Sequence, residues 1–215
     1  MHQVVQLNRE LLEIQIGYLR STHKLTEEAL VRYGADLAEW YLHQREIVDD
    51  DEMVEDRDLL NKEFEELRAE AADAYPQILR ASLFGTAYGI FEHFLNAICK
   101  QSHSQGYVQG LALKDLRGEG IHRARLYLTK VAQITLPDTP EWRDIGDYGL
   151  LRNSLVHAQG YLAENDKLAR IEHFQKRVGT FEIRPADMRA VLLESFNPKF
   201  LDLIQTVGDQ VESAI

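Results

Sequence analysis

The segment Leu150–Gly160, LLRNSLVHAQG, brings an arginine, an asparagine and a histidine together within six residues: Arg152, Asn153 and His157. A histidine titrates near neutral pH, so His157 is suited to accepting or donating a proton. An arginine stays cationic and can bridge two oxygens of a phosphate or a carboxylate. The amide of Asn153 can hydrogen-bond a phosphate oxygen or orient the histidine. Together the three residue types suit proton transfer beside an anionic group.

The helical period of the surrounding residues predicts a helix that begins at Pro140 and continues to about residue 162. On a helical wheel, Arg152 points into the middle of a broad apolar face, whereas Asn153 and His157 lie together on its flank. An arginine on an apolar face is costly unless an anion meets it. The structural alternative to a catalytic role is therefore a buried ion pair, with Glu92 as its candidate partner. The apolar face consists of Trp142, Ile145, Tyr148, Leu151, Leu155 and Val156.

A second helix, predicted over residues 76–101, must lie close to the first. One side of it is broadly apolar, and the other is a strip of small and polar residues at helical spacing: Gly85, Gly89, Glu92 and Asn96. Small residues spaced in this way let another backbone approach, so we expect the helix to be contacted on both sides. Glu92 and Asn96 would then support the Arg152 site from below.

Other kinds of chemistry find less support in the sequence. No H-x3-H, H-E-x2-H or clustered Cys/His spacing is present, which argues against a zinc site. The sequence also has no glycine-rich phosphate loop of the kind that binds nucleotides. Cys99 falls inside a predicted helix, where a cysteine is usually inert packing. We expect neither a metal nor a cofactor. A basic stretch beside the glycine turn at 118–120 could hold an RNA backbone or be ordinary charged surface; it comprises Lys114, Arg117, His122, Arg123 and Arg125.

The arrangement of these motifs resembles that of the HEPN superfamily. Arg152-Asn153-x3-His157 is similar to the R-x4–6-H signature of that group, in which a polar residue often follows the arginine. The upstream run Phe91-Glu-His-Phe-Leu-Asn96 resembles the helix that these domains pack beneath the motif. The similarity covers roughly residues 75–215. Further matching features are the stretch Leu116-Arg-Gly-Glu-Gly-Ile-His-Arg123 followed by Tyr127-Leu128, then Trp142, and Gly160 after the histidine.

This resemblance implies an all-α fold, a HEPN-like helical bundle, and a function. Active members are metal-independent endoribonucleases that often serve as toxins or antiviral-defence effectors, and they dimerise so that two motifs meet in one cleft. The resemblance therefore implies an RNA substrate, a homodimer, and an antitoxin or defence-system partner protein. Other members have lost catalysis, so a non-catalytic dimerisation or partner-binding module is the alternative. A different helical binding protein is the third hypothesis.

Composition and charge set the remaining expectations. Apolar residues make up 45% of the 215 residues, which indicates a globular protein. Thirteen acidic and three basic residues lie between Glu46 and Asp73, so this segment holds almost all of the net charge of −11. We divide the chain into an N-terminal helical arm over 1–74, carrying the acidic segment, and a helical domain over 75–215. A single cysteine, no signal peptide and no membrane span predict a cytoplasmic protein.

The sequence also predicts where the helical pattern is interrupted. Residues 4–20 and 26–73 read as two helices, with a break in the second near residues 49–51. A short helix is predicted near 112–117 and another over 120–133. Alternation of apolar and charged residues over 181–184 indicates at most one short β-hairpin, and residues 186–213 are predicted to be helical with a break at Asn197-Pro198.

Overall fold

The computed structural model describes residues 1–48, 54–162 and 167–215, and these are mostly helical. Two π-helical turns, Glu70–Ala74 and Tyr127–Val131, extend neighbouring helices, and Leu113–Asp115 forms a single 3-10 turn. Within the described ranges, no helix is long and apolar enough to cross a membrane. The helices are α1 (His2–Val48), α2 (Val54–Ala69), α3 (Tyr75–Ser104), α4 (Gly120–Leu126), α5 (Pro140–His157), α6 (Leu168–Val178) and α7 (Phe196–Ser213), and the strands are β1 (Phe181–Arg184) and β2 (Arg189–Leu192).

The core is centred on α3, α5 and α7, whose apolar faces meet. Phe84 of α3 packs edge-on against Phe196 and Phe200 of α7, with ring centroids 4.9 and 4.8 Å apart. Tyr148 of α5 joins the same cluster and also packs against Phe174 of α6, at 4.8 Å. Such edge-to-face pairs add to the free energy of burying the rings. This cluster fixes the position of α5, which carries the predicted site.

The helix α1 is one continuous helix rather than the two that the sequence predicted. Its first half belongs to the main core, because Val5, Leu12 and Ile16 are buried there. The hydroxyls of Ser21 and Thr22 donate to carbonyls one turn earlier, so the polar side chains in the stretch that suggested an end are accommodated within the helix.

The second half of α1 projects beyond this core and pairs with α2. Tyr41 stacks on Phe64 with centroids 4.0 Å apart, and Leu37 and Leu60 are buried between the two helices. The first π-helical turn ends at Ala74. The division into an arm over 1–74 and a domain over 75–215 stays a prediction. The predicted break near residues 49–51 lies outside the described residues.

The short hairpin is present, but it takes in residues that the sequence predicted to be helical. The strands β1 and β2 pair antiparallel, with Phe181 opposite Leu192. The side chain of Gln77 on α3 bonds both the amide and the carbonyl of Leu192, at 2.7 and 3.0 Å. Helix α7 starts only at Phe196 and runs through Pro198 without a break. The amides of a helix's first turn have no partner within the helix, so a proline there removes no hydrogen bond.

The end of α5 also differs from the expectation. The helix stops at His157, five residues before the predicted end near residue 162. Gln159 and Gly160 adopt positive φ angles of 50° and 84°, which turn the chain away from the helix axis. Leu162 then donates its amide to the Met188 carbonyl at 2.9 Å, so the chain joins the edge of the hairpin. His157 consequently marks the last turn of α5.

Candidate functional site

A cleft of about 640 Å³ lies along α5. Its floor is a stripe of residues spaced one helical turn apart, Trp142, Gly146, Gly149 and Asn153. Because the two glycines carry no side chain, Arg170 approaches the floor closely at Gly146 and Tyr88 does so at Gly149. The walls are formed by Tyr88 and Glu92 of α3, the beginning of α4, Arg143, Arg152 and Arg170.

Arg152 lies at one end of this cleft without a carboxylate partner among the described residues. Its Nη1 donates to Asn153 Oδ1 at 3.3 Å, and its guanidinium lies over the Tyr88 ring at 5.9 Å. Its Nε is buried and has no hydrogen-bond partner within the described part of the chain. The buried ion pair with Glu92, the structural alternative for this arginine, is therefore not formed among the described residues. A half-buried guanidinium with an unsatisfied donor favours an external anion.

Glu92 contacts the start of α4 rather than Arg152. A Cβ placed on Gly120, whose φ is +58°, would lie 3.3 Å from Glu92 Oε2. Glu92 is half-buried and lines the cleft, so it contributes negative charge to a wall otherwise rich in cations. Asn96, one turn further along α3, does not line the cleft; its Oδ1 is buried without a hydrogen-bond partner among the described residues.

Tyr88 is a cleft residue that the sequence analysis did not identify. Its hydroxyl lies only 2.7 Å from the position that a Cβ on Gly149 would occupy, so a glycine is needed at 149 for the ring to sit there. Burial raises the pKa of Tyr88 to about 12; the Glu92 carboxylate adds to the rise and the Arg152 guanidinium opposes it. Tyr88 is therefore a neutral hydroxyl at physiological pH, placed beside the arginine.

His157 continues the stripe that forms the floor, one turn beyond Asn153, but it does not line the cleft. Its side chain is exposed, as is that of Asn153. The apolar side chains of Val156 and Tyr161 nearby are also about half exposed, at 54% and 46%. Arg152 and Asn153 are thus brought together in the cleft, and His157 is presented at its open end.

The predicted basic stretch is divided by the fold. His122 and Arg125 line the cleft, whereas Lys114 and Arg117 are exposed outside it. Arg123 is half-buried and turned away, with its Nε enclosed and without a hydrogen-bond partner in the described ranges. Only two of the five predicted RNA-binding residues therefore reach the site.

Some of the cleft cations are already paired. Arg125 lies 3.6 Å from Asp138 and over the Trp142 ring at 4.9 Å. The Nε of Arg170 donates to Asp147 at 2.6 Å. These contacts hold the two side chains along the walls. Arg152 differs from them because, among the residues that the structure describes, its polar contact is with a neutral amide, that of Asn153.

Neither a metal-binding cluster nor a reactive thiol accompanies the cleft. In the residues that the structure describes, no three His, Cys, Asp or Glu side chains come together to hold an ion. Cys99 is fully buried in α3, and its thiol lies 3.7 Å from the Ala124 carbonyl. Burial raises its pKa to about 12, so the thiol stays protonated at neutral pH.

Sequence reasoning missed Tyr88, Arg143 and Arg170 as wall residues. One signal was available: two glycines three residues apart inside α5, Gly146 and Gly149, each cost about 1 kcal/mol of helix stability relative to alanine. Such a pair indicates that something approaches the helix closely. Which side chains approach it depends on tertiary packing, because Arg170 comes from α6.

Comparison with known proteins adds no further constraint on this site. No family model, curated protein or solved structure matches the chain significantly.

Proposed function

We propose that the chain is a HEPN-like, metal-independent endoribonuclease of toxin or antiviral-defence type. The observation that carries this proposal is Arg152, a half-buried guanidinium that lines the cleft without a carboxylate partner among the described residues. The exposed His157, one turn beyond Asn153 on the same stripe, adds a group that can transfer protons near neutral pH. An arginine that can bind an anion, with a histidine near it on the same helix, fits phosphodiester cleavage.

In the proposed reaction, the 2′-hydroxyl of the RNA attacks the adjacent phosphorus and the bond to the 5′ oxygen breaks. A 2′,3′-cyclic phosphate forms, and the 5′ oxygen leaves with a proton. His157 of one protomer takes the proton from the 2′-hydroxyl, and His157 of the second copy supplies the proton to the leaving oxygen. Arg152 offsets the charge that develops on the phosphoryl oxygens, and Asn153 donates a hydrogen bond to one of them.

The need for two histidines gives the homodimer its role in this proposal. One protomer presents a single histidine at the end of α5, whereas the reaction needs a proton acceptor and a donor. An isologous interface over residues 148–160 would bring two copies of His157 to the same phosphate. The half-exposed Val156 and Tyr161 provide apolar surface for such an interface. An antitoxin or defence-system protein would act by covering this surface or by separating the two protomers.

A non-catalytic dimerisation or partner-binding module is the second candidate, and one observation favours it. His157 does not line the cleft that contains Arg152 and Asn153. A cleft with an unpaired arginine can bind an anionic group of a partner without any acid or base. The two candidates therefore differ in whether His157 matters, because binding alone requires Arg152 but not the histidine.

The two candidates are separated by measuring RNA binding and RNA cleavage on the same variants. For the enzyme, His157→Ala should reduce cleavage of labelled RNA by about 10²–10⁴-fold while leaving binding nearly unchanged. Arg152→Ala should reduce both. His173→Ala is a matched control, since this histidine is exposed like His157 but lies on α6 and not on the stripe of α5. If wild-type protein binds RNA without cutting it, the binding module replaces the enzyme; unchanged cleavage in folded His157→Ala removes the catalytic assignment.

A further inference from the structure

Helix α1 carries a second apolar stripe that faces away from the core. Five large apolar side chains lie on it, each between 52% and 70% exposed. The core-facing residues of the same helix, such as Leu12 and Ile16, lie roughly 130–170° around the helix axis from the centre of this stripe, at 100° per residue. The exposed set, called here the outer stripe, consists of Leu7, Leu11, Ile14, Tyr18 and Leu25.

The spacing of the outer stripe is that of a coiled-coil seam. Successive positions are separated by four, three and four residues, and Ser21 occupies the position between Tyr18 and Leu25 that completes the alternation. Side chains at this spacing interlock with those of another helix bearing the same pattern. Leu11 and Ile14 are exposed in the isolated protomer, so an unfilled seam of this kind leaves a considerable apolar surface in water.

We infer that the outer stripe pairs with the outer stripe of a second copy of this chain, with the two α1 helices antiparallel. In this register Leu7 of one copy faces Leu25 of the other, and Ile14 faces Tyr18. Leu11 faces Ser21. Each layer then contains at least one large apolar side chain, and the two-fold axis passes beside the middle of the stripe.

Charge complementarity selects the antiparallel direction. Glu10 and Lys24 lie on the same edge of the stripe, and antiparallel pairing places Glu10 of each copy opposite Lys24 of the other. Gly17 lies between them on this edge, and at the two-fold axis it faces Gly17 of the second copy. Within the described part of one protomer, a Cβ on Gly17 would have nothing within 4 Å. In a parallel pair, Glu10 would instead face the neutral Gln15, and Ser21 would face itself. Only the antiparallel pair makes two attractive charge contacts.

The surface involved is large enough for a specific pair. Covering both stripes and their flanks removes on the order of 1,000 Å² from water, near the lower limit of specific interfaces. The pairing is independent of the ribonuclease proposal, because it uses α1, which packs mainly on α3 and α7, and not α5. Each contact is isologous, and the two use different surfaces of the chain.

Sedimentation of the full chain over a wide concentration range tests whether the stripe associates. Ile14→Lys should raise the dissociation constant of the pair by at least about tenfold, since a charge would be buried opposite Tyr18. Ile47→Lys is the matched control: Ile47 is 61% exposed on the same helix, but in this register no residue of the second copy lies opposite it, so the constant should not change. A wild-type chain that stays monomeric well above micromolar concentration, or equal effects of the two substitutions, would overturn the inference.

Disulfide trapping tests the direction of the pair. Leu7→Cys and Leu25→Cys mixed together should give covalent dimers on mild oxidation, whereas neither variant alone should do so. In a chain that carries both substitutions, the two cysteines would be 18 residues, or about 27 Å, apart on one helix. A disulfide between these positions therefore forms only between two copies. Cys99 is buried and does not compete. Efficient covalent dimers of either variant alone would indicate a parallel or unspecific contact and contradict the proposed pair. A mixture of the two variants that forms no covalent dimer would contradict it as well.

Discussion

Asp147→Asn should destabilise the protein, because Asp147 joins α5 to α6. Its side chain is only 9% exposed; Oδ1 accepts from Arg170 Nε at 2.6 Å and Oδ2 from Arg177 Nη2 at 2.7 Å. The substitution keeps the shape but removes the charge, and it turns an amide N–H₂ group towards one guanidinium. The two arginines then lose their shared acceptor.

The expected loss is about 2 kcal/mol. A hydrogen bond to a charged group contributes about 1.5–3 kcal/mol, and two are affected. The arginine side chains are 56% and 41% exposed, so water and salt recover a large part of this sum. Urea unfolding should report the difference as a lower midpoint with an unchanged slope. In a chain of this length, the melting temperature should fall by about 4–8 °C.

Asp144→Asn is the matched control. In the described part of the chain, Asp144 forms an ion pair only with Arg177, which keeps its bond to Asp147. The side chain of Asp144 is also more exposed, at 23%. The loss there should be about 0.5 kcal/mol, as for a surface pair. Equal losses for the two variants, or a smaller loss for Asp147→Asn, would refute the view that Asp147 is the anchor between α5 and α6.

Three further predictions concern the cleft and the core. Cleavage of RNA should persist in excess EDTA and leave 2′,3′-cyclic phosphate ends; an absolute requirement for Mg²⁺ would point to a different mechanism. Gly149→Ala should weaken RNA binding by displacing Tyr88, whereas Gly85→Ala, where a Cβ meets nothing within 4 Å, should leave binding unchanged and stabilise α3 by up to about 1 kcal/mol. Cys99, whose pKa burial raises to about 12, should resist iodoacetamide at pH 8 in the native protein and react in denaturant; rapid native modification would contradict its placement.

The sequence predicted those features that depend on local chemistry. Proline at a first helical position correctly marked the start of α5 at Pro140, and alternation over residues 181–184 correctly indicated a hairpin. The second strand was missed because the run Arg189–Leu192 is too short for its period to separate strand from helix. Its strand conformation depends on pairing with β1 and on the contacts of Gln77 with Leu192, which are distant in sequence.

Predictions about which surfaces meet were less successful. The strip of small and polar residues on α3 was expected to be contacted by another element. Glu92 contacts the start of α4, but Cβ atoms on Gly85 and Gly89 would meet nothing within 4 Å among the described residues. Arg152 and Glu92 line the same cleft, and the ion pair that was the structural alternative for Arg152 is not formed within the described part of the chain. Composition and period identify a helix face but not its neighbour, because that choice is made by the packing of the whole core.

The cleavage activity of mixed dimers tests the shared site most directly. Equal amounts of wild-type and His157→Ala protein are mixed, unfolded together and refolded, so that the protomers pair at random. About a quarter of the dimers then carry two histidines. Because only these dimers supply both acid and base, the mixture should retain about a quarter of the wild-type activity. A separately refolded wild-type sample at half the concentration gives the reference for independent protomers. Retention of about half the activity would contradict the shared cleft, and a wild-type dimer that cleaves no RNA would contradict the enzyme itself.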